Sequence, residues 1–177
     1  MPIVGLDRWE SDLVDRALPL GPAPAPLVRV SELANGGRLW FAVAAAMAVH
    51  PGLRRTAAEG VTAVLLAAGA TQTLNRLVGR ARPAATHPAR QGLASPDSPS
   101  FPSSHTSVAV AFTTAVAYRQ PRLAVLFAPL AATLAYGRIR LRLHWPTDVL
   151  GGALLGLGAG RLARPCVHAV GRAIGRG

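Results

Sequence analysis

Three polar clusters interrupt a chain otherwise rich in alanine, leucine and glycine. Asn75, Arg76, Arg80, Arg82 and Pro83 form the first, Pro102, Ser103, Ser104 and His105 the second, and Arg138, Arg140, Arg142, His144 and Asp148 the third. Clustered guanidinium groups bind phosphate through paired N–H donors. A helix that opens on serines offers free backbone N–H groups and the positive end of its dipole to an anion. Two histidines and a carboxylate suit nucleophilic phosphoryl transfer, in which one imidazole attacks phosphorus, the other protonates the leaving oxygen and the carboxylate orients the attacker. Taken singly, the clusters also have plainer readings. Pro-Ser-Ser-His is an ordinary helix cap followed by a solvated histidine, and His-Trp-Pro-Thr-Asp is an interfacial tryptophan ahead of a proline-started helix. Two histidines and an aspartate can hold zinc, but so many arginines repel a cation, so no metal and no cofactor is expected.

These residues can meet only if helices carry them to one end of a bundle. The chain has 177 residues, a length that suits one domain. It is 50% hydrophobic and 15% charged, which is membrane-like, yet its formal net charge is +11. All 19 basic residues are arginine, and they sit at the ends of apolar runs rather than in one patch. That distribution points to membrane lipids, not nucleic acid, as the partner. A single cysteine, Cys166, excludes an intrachain disulfide or a cysteine-based zinc site and is read as a small buried hydrophobe. The first 20 residues carry Asp7, Glu10, Asp12 and Asp15 and lack the apolar core of a cleaved leader. Residues 7–18 instead predict a short interfacial amphipathic helix with Leu6, Trp9, Leu13, Val14 and Leu18 on one face. Residues 21–28 form a proline-rich connector that cannot be helical throughout.

Five apolar segments follow, at about 35–50, 56–79, 103–118, 122–137 and 148–164. The expected fold is an all-α integral-membrane bundle of about five transmembrane helices plus the N-terminal helix. It forms one domain over 1–177: residues 1–30 are the helix and connector, 31–165 the membrane bundle and 166–177 a basic tail. Gly151, Gly152, Gly156, Gly158 and Gly160 are suited to close helix contact, and Arg38, Trp40, Arg119, Arg122 and Trp145 to the membrane interfaces. The long loop at 80–102 and the eleven residues 138–148 must lie on one side if the helices alternate in direction. Arg54, Arg55, Arg119, Arg122, Arg161, Arg164, Arg172 and Arg176 then lie on the other, so the positive-inside rule turns the polar loops out of the cytoplasm of a multi-pass plasma-membrane protein. His50, His87 and His168 have no partners in the pattern and read as surface residues.

"NRLVGRARP", "PSSH" and "GRIRLRLHWPTD" resemble the three signature motifs of the type 2 phosphatidic acid phosphatase (lipid phosphate phosphatase) family, part of the phosphatase/vanadium haloperoxidase superfamily. The family pattern is Lys, six residues, Arg-Pro; Pro-Ser-Gly-His; and Ser-Arg, five residues, His, three residues, Asp. The spacing agrees throughout. The resemblance implies that His144 is a nucleophile forming a phosphohistidine, that Asp148 holds its ring and that His105 is the acid for the leaving group. It also implies that Arg82, Arg138, Ser103 and the backbone at Ser104 bind the phosphoryl oxygens. Three positions depart from the pattern. Asn75 stands where the family has lysine, with Arg76 or Arg80 as possible substitutes; Ser104 replaces glycine; and Gly137 replaces serine. The implied substrate is a lipid phosphate or pyrophosphate of polyprenyl, decaprenylphosphoryl-phosphoribose or phosphatidic acid type, the short spans pointing toward the polyprenyl class. A weakly catalytic lipid-phosphate-binding protein is the alternative that Asn75 raises. A soluble haloperoxidase does not fit so short and apolar a chain.

Overall fold

The computed structural model describes residues 4–18, 21–83 and 97–175. The middle of the long polar loop, residues 84–96 with His87, lies outside them, and with it any lid over the site. Within the described residues the chain is all-helical. Helix α1 spans Val4–Ala17, α2 Ala25–Leu33, α3 Arg38–Val49, α4 Arg54–Val78, α5 Ser104–Ala117, α6 Pro121–Arg140 and α7 Pro146–Ile174. The last five cover the five apolar segments, but α7 continues ten residues past 164, so most of the stretch expected as a basic tail is helix. α2 was not expected: Pro24 takes the N-cap position and Pro26 stands in the first turn, so the proline-rich stretch starts a helix rather than breaking one. Left-handed Gly36 and Gly37 (φ 62° and 75°) then turn the chain into α3. Gly79 (φ 61°) ends α4, and the prolines at 121 and 146 open α6 and α7.

α5 occupies the middle and packs against α4, α6 and α7. Small residues make that possible. Ala109, Ala111 and Ala115 on α5 and Ala63 and Ala67 on α4 are all buried. On α7, a Cβ at Gly152, Gly156 or Gly160 would lie 2.6, 2.4 or 2.6 Å from the nearest atom of α5 or its N-cap. The backbones are therefore in direct contact along three turns. Gly158, expected to share that role, faces open space. Trp40, Phe112 and Phe127 close the core between α3, α5 and α6, with ring centroids 5.0 to 6.3 Å apart. Trp40 is thus a core residue and not an interfacial anchor. Cys166 is only half-buried.

The outside of the bundle is apolar. Leu65, Leu77, Val125, Leu126, Leu150 and Leu154 are each 59 to 75% exposed. Water would penalise such a surface, whereas hydrocarbon accepts it. By length and hydropathy, α6 qualifies on its own as a membrane span. At the end of the bundle formed by the start of α4 and the α5–α6 turn, buried Glu59 pairs with Arg119 at 2.8 Å. The three polar clusters all gather at the opposite end.

Candidate active site

Each cluster reaches the site from a helix terminus. Gly79 lets the chain leave α4 so that Arg80 and Arg82 turn over the bundle end. His105 lies in the first turn of α5. After α6 the chain makes a tight turn in which Leu143 and His144 both donate backbone N–H to the Arg138 carbonyl, with Arg142 at φ 52°. A non-glycine residue at that φ is uncommon, and here it swings His144 back over the end of α6. Pro146 then starts α7, and Asp148 in its first turn accepts the Trp145 N–H at 2.9 Å.

A cleft of about 370 Å³ lies between these ends, lined by Arg82, Arg138, Ser104, His105, His144 and Asn75 among others. His144 is buried. Its Nδ1 donates to the Ser100 carbonyl at 2.8 Å, which fixes the proton on Nδ1 and leaves the Nε2 lone pair toward the cleft. Asp148 is 3.6 Å from Nδ1, so it supports the ring electrostatically while Ser100 makes the hydrogen bond. The expectation that Asp148 itself holds the ring is corrected to that extent. Burial, with the nearby Arg82 and Arg138 charges, lowers the His144 pKa from its usual 6.5 against the opposing pull of Asp148. Arg82 donates to Nε2 at 3.0 Å and to the Leu143 carbonyl at 2.6 Å, and is braced by Ser98. Arg138 is 4% exposed, lines the cleft and has a buried Nε without a hydrogen-bond partner among the described residues. A buried guanidinium in that state is ready for an anion. The Nε2 edge of His105 meets the Asn35 side-chain oxygen at 2.9 Å.

Other expected residues sit elsewhere. Arg76 is exposed and does not line the cleft. Arg80 is buried and fully engaged: it pairs with Asp7 at 2.6 Å, Glu10 at 2.6 Å and Asp148 at 2.8 Å. Neither arginine takes the place of the missing lysine. Asn75 does line the cleft, but its amide donates to the Phe101 carbonyl at 2.6 Å and so holds the loop ahead of α5. Ser103 is fully buried behind the cleft. Its N–H donates to the Asp148 carbonyl, its hydroxyl accepts from Thr106, and it makes no side-chain cap. Ser104, one residue on, is the serine that lines the cleft. Trp145 is 9% exposed, with its indole N–H on the Ala81 carbonyl, so it is not an interfacial anchor.

Sequence reasoning missed Ser100, Asn35 and the acidic face of α1. Glu10 is completely buried, bridging Arg80 and the Thr147 N–H (2.7 Å), and Asp15 pairs with Arg142. The signal was present: Asp7 and Glu10 are three apart in a chain with strong positive charge. Among the described residues no group of three metal-ligating side chains comes together.

The same bundle occurs in solved membrane phosphatases. A transmembrane PAP2-type phosphatidylglycerolphosphate phosphatase from Bacillus subtilis superposes with a TM-score of 0.69 at 20% identity, covering 94% of this chain and 86% of that one. Aquifex aeolicus LpxE gives 0.69 at 21% identity, covering 92% and 94%. At such identity the likeness concerns the fold. Sequence comparison goes further and gives the class, membrane lipid phosphatases. Residues 56–172 match the PAP2 superfamily model, and the chain belongs to that superfamily. Among curated relatives, a lipid A 1-phosphatase of Rhizobium johnstonii is 28% identical over 169 residues, 81% of this chain and 69% of that protein. One of Rhizobium etli is 34% identical over 100 residues, 54% of this chain and 43% of that protein.

Proposed function

We propose that the protein removes a phosphate from a lipid head group, without a metal, through a phosphohistidine on His144. The observation that carries this is the Nδ1–H bond of His144 to the Ser100 carbonyl, which leaves Nε2 unprotonated, its lone pair accepting from Arg82 until a phosphoryl group draws that arginine away. In the first step an Nε2–P bond forms and the P–O bond to the leaving group breaks, and the leaving oxygen takes a proton from His105. In the second, water attacks phosphorus, the N–P bond breaks, His105 takes the water proton and inorganic phosphate departs. Arg82, Arg138 and the first-turn amides of α5 at Ser104 neutralise the transferring oxygens. α3 to α7 are read as five membrane-crossing helices, with α1 at the interface. Its Trp9 and Leu13 are exposed, while Glu10 is turned inward onto Arg80 and Asp12 stays exposed. The arginine count places the cleft on the extracytoplasmic side of the cell membrane.

The test is phosphate release by detergent-purified protein in EDTA. Substrates are undecaprenyl pyrophosphate, a decaprenyl phosphoribose phosphate, phosphatidic acid, phosphatidylglycerophosphate and lipid A, the last two being the substrates in the relatives' names. Release is expected to persist in EDTA and to fall by about 10³-fold or more in His144→Ala. Labelled phosphate is expected on a histidine after an alkaline quench, because such a bond survives base and not acid. Activity that survives His144→Ala, or stops with EDTA, would refute the mechanism.

A further inference from the structure

The family match begins at residue 56, yet three residues of α2 and the turn after it, Ser31, Glu32 and Asn35, line the phosphate cleft. Glu32 is the unexpected one. A carboxylate beside a bound phosphate repels it, so Glu32 works against the anion that Arg82 and Arg138 attract. No hydrogen bond or ion pair occupies it among the described residues, and it stands exposed at the cleft wall. Ser31, one residue earlier, is 4% exposed with a hydroxyl that has no hydrogen-bond partner among the described residues. Such a group is costly unless a ligand satisfies it.

The location of the pair defines its role. His105 turns its Nε2 edge to Asn35, on this same wall, so the leaving oxygen that His105 protonates belongs on the α2 side. Glu32 also lines a second cavity of about 510 Å³, with Arg29, Leu33, Arg38, Leu39 and Ala42. Leu33 there is 65% exposed. From the histidines outward, the order is therefore arginines, then carboxylate and hydroxyl, then a groove that mixes Leu33, Leu39 and Ala42 with Arg29 and Arg38. A lipid phosphomonoester has the same order: phosphate, head group, tail. Carboxylates and hydroxyls in such a position recognise O–H groups.

Building on the phosphatase reading, we infer that Ser31 and Glu32 form a leaving-group subsite for a hydroxyl-bearing head group, a polyol or sugar carrying the phosphate as a monoester.

The experiment compares kcat/KM for phosphatidylglycerophosphate and a lipid-linked sugar phosphate with those for phosphatidic acid and undecaprenyl pyrophosphate, in the wild type, Glu32→Gln, Glu32→Ala and Ser31→Ala. The wild type is expected to prefer the hydroxyl-bearing monoesters. In Glu32→Ala that preference over phosphatidic acid falls by about tenfold or more, with Glu32→Gln intermediate, because a hydrogen bond to a charged acceptor is lost. Ser31→Ala moves the ratio the same way. Equal loss on all four lipids, or no change in the ratios, overturns the subsite while leaving the phosphatase reading intact. Absence of His144-dependent release from every lipid overturns that reading and the subsite with it. Free glycerol 3-phosphate and glucose 1-phosphate distinguish the source of the head group. Poor turnover supports a lipid-borne one, and turnover equal to the lipids overturns it.

Discussion

His144 gives the sharpest consequence at the scale of single residues. Its pKa is lowered by burial, so the imidazole stays neutral, and nucleophilic, below the usual 6.5. The acidic limb that this group imposes on kcat/KM is expected below about pH 6.5, after correction for ionisation of the substrate phosphate. A limb rising above that value and assigned to His144 by a mutant profile would contradict the buried, neutral ring. The sign for stability follows from the same shift. Below about pH 6.5 the unfolded chain takes up a proton that folded His144 refuses, so stability falls as pH falls through that range. His105, His144, Arg82, Arg138 and Ser104 were legible in the sequence because their spacing carried them. Ser100 was not, since it acts through its backbone carbonyl, and no side-chain pattern reports a carbonyl. Arg76 was misplaced for a different reason: a residue on α4 next to Asn75 points about 100° away from it, so adjacency in sequence placed it outside the cleft.

At the scale of elements, α1 acts as a clasp on the support of His144. Glu10 holds Arg80 and the Thr147 N–H, and Arg80 holds Asp148 beneath His144. Glu10→Gln weakens that chain without adding bulk. The expected result is a fall in kcat of about ten- to a hundredfold with KM little moved, because the support of His144 is displaced and the substrate contacts are not. A merely structural role would instead lower the amount of folded protein at unaltered kcat per active molecule, so kcat is best normalised to the yield of phosphoenzyme. The sequence showed α1 as amphipathic, and the structure keeps Trp9 and Leu13 outward, whereas Val14, expected on the same face, is buried. The burial of its acids was illegible, because their partners lie some 70 and more residues away. α2 was hidden by its prolines, which stand just before and within its first turn, where the helix does not need their N–H groups.

At the scale of the whole molecule, the contact of α5 with α7 sets how His105 and His144 face one another. A Cβ at Gly156 would lie 2.4 Å from the Ser107 carbonyl, whereas one at Gly158 meets nothing. Gly156→Ala is expected to cost about 1–3 kcal/mol through overpacking. Gly158→Ala is expected to be neutral or to stabilise by up to about 1 kcal/mol through helix propensity. Thermal unfolding in one detergent compares the two directly, and equal effects would mean that the helices are not held as tightly as described. The bundle itself was legible because five apolar runs with proline and glycine at their ends leave few alternatives. The identity of the contacting glycines was not, since Gly158 and Gly160 look alike until the rotation of α7 is known.

The groove beside Glu32 runs between α2 and the start of α3, with exposed Leu33 on its wall. A substrate arriving by that route diffuses in two dimensions. Turnover should then obey surface dilution: adding inert detergent or phospholipid at constant bulk substrate slows the enzyme, and the rate tracks the fraction of the surface that the substrate occupies. The relevant concentration is molecules per unit area of membrane.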